Sequence, residues 1–416
     1  MMKSLDRKLA AARTASYVLA GLSTKEKNLA LQKIAVALQK NAAAVATANR
    51  KDLALGEKNK LGAKLDRLAF GVGRVQASSK EVLHVVKLPG PVGRVLEERK
   101  AKAGFSLKRV ATPLGVIAMI YESRPNVTID AATLAIKSGN AVVLRGGSDA
   151  RETNRALVAI MRAALAGTRV PADAIQFIDS TDRSVVGELL AARGKVDVVI
   201  PRGGKSLIEY VVQHSRVPVI ETGASVVHLY VDKSADLIQA VSLILNSKCR
   251  RVSICNALDT VLVHKQVAQK LFATLIPELQ KNNVIIHADQ ATKAYLKNAK
   301  DKILPAKFDT EFLDYALNLK VVASLDEAIL HIRHYSLGHT EAILAKDRKA
   351  IERFTREVDA ACVYANLSTQ FSDGGEFGLG AEIGISTQKL HARGPFALEA
   401  LTTYKWVGQG SGQVRK

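Results

Sequence analysis

From residue 115 onward, short apolar runs bounded by Gly, Asn and Pro alternate with stretches of helical length, and few folds accommodate that alternation. The runs lie at 115–120 (Gly-Val-Ile-Ala-Met-Ile), 141–144 (Ala-Val-Val-Leu), 196–200 (Val-Asp-Val-Val-Ile) and 217–220 (Val-Pro-Val-Ile), with helix-like segments at 155–166 and 183–192. Strands alternating with helices predict a mostly parallel α/β sheet. A second set follows, with apolar runs at 226–231 and 258–263 around a helix-like 235–246. Ahead of both, residues 5–86 read as helical: Ser23-Thr24-Lys25-Glu26 resembles a capping box, and Leu29, Ile34, Val36 and Leu38 sit among Ala, Gln and Lys. At roughly 150 residues per domain, 416 residues predict two or three domains. We place a boundary near 222–226, which puts Gly223 where two α/β units would face each other, and ligand sites favour such places. No internal repeat is visible.

Composition narrows the class. Hydrophobic residues are 48% and charged residues 24%, without a low-complexity tract, so a globular chain is expected. The first residues lack the apolar core of a signal peptide, and no apolar run approaches the ~20 residues of a membrane span, which predicts a cytoplasmic protein without a membrane partner. Three cysteines, with no Cys-x-x-Cys or His-x-x-x-His spacing, predict neither a disulfide framework nor a metal site. The net charge of +21 suits nucleic acid, an anionic surface or anionic small molecules. The basic residues are dispersed and aromatics are only 5%, so no specific nucleic-acid partner is expected; a positive potential that draws in phosphorylated substrate and cofactor accounts for the charge, as does a solvated surface.

Several segments could carry chemistry. Cys255 stands in Lys248-Cys249-Arg250-Arg251-Val252-Ser253-Ile254-Cys255-Asn256, and cationic neighbours raise a thiol's thiolate fraction, which makes Cys255 a candidate nucleophile; the alternative is a small buried hydrophobe. Two glycine pairs follow strands, in Arg145-Gly146-Gly147-Ser148 and Arg202-Gly203-Gly204. Backbone N–H groups and a helix N-terminus can hold phosphate there, although a glycine pair after a strand is also ordinary turn chemistry. Neither a Gly-x-Gly-x-x-Gly fingerprint nor a Walker loop is present. In Tyr121-Glu122-Ser123-Arg124-Pro125-Asn126-Val127-Thr128, Asn126 is a neutral donor for an oxyanion, and Pro-Asn is equally a turn signal. A glycine-rich loop at 370–382 precedes Lys389, His391 and Arg393, which suit an anionic, carboxylate-bearing substrate.

Taken in order with the C-terminal run Glu399-Ala400-Leu401-Thr402-Thr403-Tyr404-Lys405-Trp406, these segments resemble the glutamate-5-semialdehyde dehydrogenases, also called gamma-glutamyl phosphate reductases, a branch of the aldehyde dehydrogenase superfamily. The resemblance covers nearly the whole chain. It implies an α/β, aldehyde-dehydrogenase-like fold in which a cofactor domain and a catalytic domain each carry a mostly parallel sheet, plus small oligomerisation elements. The expected division is 1–225 for the helices and NADP-binding domain, 226–392 for the catalytic domain carrying Cys255, and 393–416 for an oligomerisation tail.

The implied activity is NADPH-dependent reduction of L-glutamyl 5-phosphate to L-glutamate 5-semialdehyde and phosphate, the second step of proline biosynthesis from glutamate, through a Cys255 thioester. Asn126 would be the oxyanion donor. Arg145, Gly146, Gly147, Ser148, Arg202, Gly203 and Gly204 would lie against NADPH, and Arg124, Lys389, His391 and Arg393 would bind substrate. The resemblance further implies a homo-oligomer, dimer or tetramer, and a transient complex with the glutamate 5-kinase that makes the labile acyl phosphate is expected.

This chain departs from the family pattern at Val252, where proline is usual, at Ile254, and at the extra thiol Cys249, a potential oxidative partner of Cys255. Glu221 resembles the water-activating base of hydrolytic aldehyde dehydrogenases. A thioester that must survive to meet phosphate or hydride argues instead for a structural or substrate-orienting role. Two other readings remain: a hydrolytic aldehyde dehydrogenase using Glu221, and a silent basic scaffold. Cys362, in an apolar run, reads as core.

Overall fold

The computed structural model describes residues 2–61, 64–122, 124–182, 184–296 and 303–415. They form two compact units, Met1–Thr222 with Gly378–Gly384 and Phe396–Lys416, and Gly223–Phe377 with Ile385–Pro395. Residues 378–384 and 396–416, which the sequence assigned to a catalytic block and a tail, thus belong to the first unit.

The first unit opens with helices Met2–Gly21, Thr24–Lys40, Ala42–Lys58 and Val72–Lys87. Ser23 caps the second: its Oγ accepts from Glu26 N at 3.3 Å while its own N–H donates to Glu26 Oε2 at 2.7 Å, a reciprocal capping box. Ala30, Leu31, Ile34, Ala35 and Leu38 form the buried stripe of that helix, and Leu29 and Val36 fall on the opposite, exposed side. Two antiparallel strands follow, β1 (Val95–Lys100) and β2 (Ser106–Pro113), and Thr402–Gln409 pairs with the free edge of β2.

A parallel sheet then forms from β3 (Val116–Tyr121), β4 (Ala141–Gly146), β5 (Ile175–Phe177) and β6 (Val198–Arg202), in the order β5-β4-β3-β6. All six residues of β3 are buried, as a strand covered on both faces requires. The run at 217–220 is not a full strand: Val219 makes only an isolated bridge to Val199, because Pro218 lacks the N–H that a ladder needs. The expected helix at 183–192 is Ser184–Leu190; Arg183 lies outside the described residues.

The second unit carries a seven-stranded parallel sheet: β7 (His228–Val231), β8 (Thr260–His264), β9 (Ile285–Ala288), β10 (Leu304–Pro305), β11 (Ala316–Val322), β12 (Thr340–Leu344) and β13 (Cys362–Ala365), in the order β10-β9-β11-β8-β7-β12-β13. Alternate residues of one strand enter different cores. Leu229, Val231, Val261 and Val263 pack on one face, with helices Leu237–Cys249 and Lys265–Lys281, whereas Tyr230, Leu262 and Ile343 pack on the other, with Leu325–Tyr335 and Arg348–Glu357. Cys362 is buried at the start of β13. Among the described residues no helix is long and apolar enough to cross a membrane, and no group of His, Cys, Asp and Glu is arranged to hold a metal.

Entry into β3 depends on one glycine. Gly115 has φ +123°, its N–H donates to Asn140 Oδ1 at 2.8 Å, and an added Cβ would fall 2.1 Å from Asp197 Oδ2. That carboxylate is already committed, accepting from Val116 N at 2.7 Å and pairing with Arg13 at 2.7 Å. Gly115→Ala is therefore expected to cost about 2–4 kcal/mol, from backbone strain and the displaced ion pair. Urea denaturation of the two proteins measures this, and a loss below 0.5 kcal/mol, the ordinary range for a surface change, would contradict it.

Candidate active site

Cys255 lies half-buried in the loop between helix Leu237–Cys249 and strand β8. Its carbonyl accepts from Ser225 Oγ, which also donates to Glu311 Oε1 at 3.0 Å. The following Asn256 is buried, and its Nδ2 donates to the carbonyls of Gln370 (3.3 Å) and Ser372 (3.0 Å). Thr369 Oγ1 returns a bond to Asn256 O at 2.7 Å. Gln370 grips the other side of the loop: its Nε2 donates to Ser247 O (2.9 Å) and Arg251 O (3.2 Å), and its Oε1 accepts from Arg250 Nε at 2.7 Å. A thiol on so short a loop is held by backbone hydrogen bonds from a segment more than a hundred residues away. Sequence reasoning assigned that segment to substrate, and nothing local marks Gln370 as a clamp.

The cations beside Cys255 in sequence have distinct fates. Lys248 is fully buried, with Nζ 5.7 Å from the Phe312 ring centroid, and burial holds it below the usual lysine range. Its nearest counter-charge, Asp259, is pushed up to about 6 by burial while accepting from Val227 N and Phe312 N. Arg250 is spent on Gln370, and Arg251 is exposed. Cys249 packs on the core, and burial pushes its thiol up.

In the first unit, strands β3 to β6 all end at one edge. The strand order reverses between β3 and β6, the place where open α/β sheets present a ligand crevice. Both glycine pairs lie on this edge, but the helix N-termini beyond them hold carboxylates of this chain. Asp52 accepts from Glu152 N (3.1 Å), Thr153 N (2.8 Å) and Thr153 Oγ1 (2.5 Å) at the start of helix Arg151–Ala164. Glu122 Oε2 accepts from Gly204 N at 3.0 Å at the start of helix Lys205–His214.

Gly146 is buried because a Cβ there would fall 2.2 Å from Asn154 Nδ2 and 3.2 Å from the Tyr121 ring. Gly147 precedes the short turn Ser148–Ala150, and Ser148, Gly203 and Gly204 are exposed. The half-buried Arg145 and Arg202 complete a donor set of two guanidiniums, a hydroxyl and the exposed backbone of Gly203, which fits a phosphorylated nucleotide held by side chains.

Asn126 sits in the first turn of helix Pro125–Lys137 and donates from Nδ2 to Asp130 Oδ2 at 3.0 Å, one turn along. Arg124, Asn126, Asp130, Arg202, Glu382 and Met119 line a cavity of about 70 Å³ within this unit. Arg124 and Arg202, which sequence reasoning assigned to substrate and to cofactor, thus share one cavity. Asp130 is a site residue that sequence reading missed, since a lone Asp on an apolar helix signals nothing by itself.

The third group of expected substrate residues lies in the second unit. Lys389 Nζ and Arg393 Nη2 both pair with Asp359, Arg393 at 2.7 Å, and the two hold its carboxyl below the usual range. His391 is exposed, in a left-handed conformation with φ +68°. Glu221 is half-buried in the first unit, next to Thr222, whose Oγ1 donates to Pro201 O at 2.6 Å.

Comparison with known proteins identifies the family. Residues 2–296 match the Aldehyde dehydrogenase family. A gamma-glutamyl phosphate reductase of Dictyoglomus thermophilum is 48% identical over 418 residues, covering all of both chains, and one of Escherichia coli is 46% identical over 409 residues, covering 97% of this chain and 98% of its own. A crystal structure of gamma-glutamyl phosphate reductase from Thermotoga maritima superposes with a TM-score of 0.96 at 43% identity, covering 99% of this chain and 100% of that one. With such a match along its whole length, the chain belongs to the aldehyde dehydrogenase family and, within it, to the gamma-glutamyl phosphate reductases.

Proposed function

We propose that this chain reduces L-glutamyl 5-phosphate to L-glutamate 5-semialdehyde and phosphate with NADPH, the second step of proline biosynthesis from glutamate. What carries the reading is full-length identity of 46–48% to enzymes named for this substrate, with Cys255, Asn126 and the two basic glycine turns all present. A nicotinamide cofactor belongs to the family's chemistry, and the choice of NADPH is part of the proposal. Arg145, Ser148 and Arg202, with the backbone at Gly147 and Gly203, are the residues that would hold it, since Gly204 N is taken by Glu122 and Gly146 is buried.

The Cys255 thiolate attacks the acyl carbon, the C–S bond forms as the C–O bond to phosphate breaks, and phosphate departs. Asn126 keeps one Nδ2 proton on Asp130 and has the second for the acyl oxygen, where negative charge builds. A nicotinamide held at Arg145, Ser148 and Arg202 would supply the hydride that reduces the Cys255 thioester. Collapse of the resulting thiohemiacetal on Cys255 then expels the thiolate and frees the aldehyde. Phosphate is a good leaving group, so the protein's main work is to hold the thiol and the donor in place. The Gln370 and Asn256 hydrogen bonds serve that need. The same reading includes a homo-oligomer, a transient complex with the acyl-phosphate-forming kinase, and a cytoplasmic location. Exposed Tyr404 and Trp406 on the antiparallel strand Thr402–Gln409 support the first.

NADPH formation from NADP and glutamate-5-semialdehyde should require inorganic phosphate and vanish in Cys255→Ala. Turnover indifferent to phosphate would favour a hydrolytic enzyme with Glu221 as base, and its absence under all conditions would favour a silent scaffold. Asn126→Ala should lower kcat by about 10²–10³, the usual effect of losing one oxyanion donor. Gln370→Ala should lower kcat about tenfold with little change in the KM for NADP, because it loosens the thiol loop and leaves the cofactor residues untouched. An unchanged kcat in steady-state assays would remove Gln370 from the mechanism.

A further inference from the structure

The charges around the cavity beside Asn126 are mixed, with Arg124 and Arg202 on one hand and Asp130 and Glu382 on the other. An amino acid's own end is mixed in the same way. We propose that this cavity holds the amino-acid end of the substrate, Asp130 and Glu382 gripping the α-ammonium and Arg124 the α-carboxylate, and that Asp130 thereby prevents the amine from attacking the activated acyl carbon. The inference rests on the glutamyl phosphate reading above and adds to it a residue-level account of substrate choice and of protection.

Reach supports the assignment. Asn126 Nδ2 lies 3.0 Å from Asp130 Oδ2, and the two N–H bonds of an amide diverge by about 120°, so an acyl oxygen that accepts from the same nitrogen lies about 5 Å from that carboxylate oxygen. The two methylenes and Cα of an extended glutamyl group span that interval and bring the α-nitrogen to Asp130. Charge supports it as well. Burial pushes the Asp130 carboxyl up to about 7, and Glu81 on helix Val72–Lys87 adds to the rise, against the Asn126 hydrogen bond and the charge of Arg202. An arriving ammonium brings this carboxyl the opposite charge at hydrogen-bond distance. The Arg124 guanidinium presents the planar donor fork that matches a carboxylate.

The protective role follows from the substrate's chemistry. In a glutamyl thioester, as in the acyl phosphate, a neutral α-amine can reach the acyl carbon and close a five-membered ring. The C–N bond forms as the C–S bond breaks, the Cys255 thiolate leaves, and the proton shed by the amine returns to the sulfur. The product is the lactam 5-oxoproline, with no change of oxidation state. An ammonium has no lone pair and cannot make this attack, so a carboxylate that keeps the amine protonated and turned outward closes the route.

The test omits phosphate. With NADP and glutamate-5-semialdehyde alone, the wild type should form NADPH up to its content of Cys255 and then nearly stop, because the thioester has no acceptor. Asp130→Asn, which keeps an oxygen for Asn126, should need more aldehyde to reach its burst, through the lost ammonium contact, and should then show continued NADPH formation at least ten times faster than the wild type, with 5-oxoproline appearing in equal amount. Glu382→Gln should shift the same way less strongly, which guards against a single misfolded variant. The des-amino aldehyde 5-oxopentanoate should give a burst and no continued phase with either variant. Continued NADPH formation that yields glutamate, or that persists with the des-amino aldehyde, would mean attack by water and overturn the proposal, as would a burst alone in both variants. A wild type without phosphate-dependent turnover would overturn the underlying reading instead, and is seen in the same assay when phosphate is added.

Discussion

A helix N-terminus left open next to a strand end is a phosphate site, and in the first unit of this protein two such ends are filled from within. Asp52, carried by a helix of the N-terminal layer, takes the N–H groups that open helix Arg151–Ala164, and Glu122, at the end of β3, takes Gly204 N at the head of helix Lys205–His214. The dipoles that a dinucleotide fold would use on pyrophosphate are spent on carboxylates, each stabilised by backbone donors. Burial pushes Asp52 up even so, opposed by the Thr153 hydrogen bonds. The missing glycine fingerprint follows: glycine at the tight turn is needed where a pyrophosphate must approach the backbone, and here Gly146 instead makes room for Asn154 and Tyr121.

Closing these N-termini shifts the burden of anion binding onto side chains, and the basic composition then has a use at this edge. Arg145 and Arg202 are placed by β4 and β6, whose positions the buried sheet determines. The same economy governs the thiol. Lys248, the cation that sequence proximity would recruit to activate Cys255, is buried over Phe312 with Asp259 as its nearest counter-charge, and Arg250 serves Gln370. The loop is ordered by polar contacts from residues 368–372, which hold its backbone.

How much of this was legible follows from the range of each interaction. Alternation of apolar runs and helices is local, and it located β3, β4, β6, β7 and β8 within a few residues of their ends. The capping box of Ser23 and Glu26 is a four-residue feature and was read directly. Pro218 shows a limit within that range: its apolar neighbours favour a strand and its missing N–H prevents one. The clamp on Cys255 and the carboxylates at the helix N-termini were invisible, because each joins residues 82 or more apart in sequence through polar side chains without a pattern of their own. The discontinuous first unit was hidden for the same reason, since residues 396–416 rejoin it by pairing with β2.

Asp130 belongs to a different class of omission. It is four residues from Asn126, well within local range, and was passed over because a single acid on a helix that is otherwise apolar is usually a solvated residue. Only the cavity distinguishes it, by adding two guanidiniums and a second acid around the same space. An acidic group in such a setting is costly to ionise unless a ligand brings the opposite charge, so its retention there argues for a ligand that does. A purely structural partner for Asn126 could have been a glutamine or a serine, which would orient the amide without the burden of a half-buried carboxyl. The chemistry that needs an acid at this distance from the acyl carbon is the one in which the substrate carries its own nucleophile.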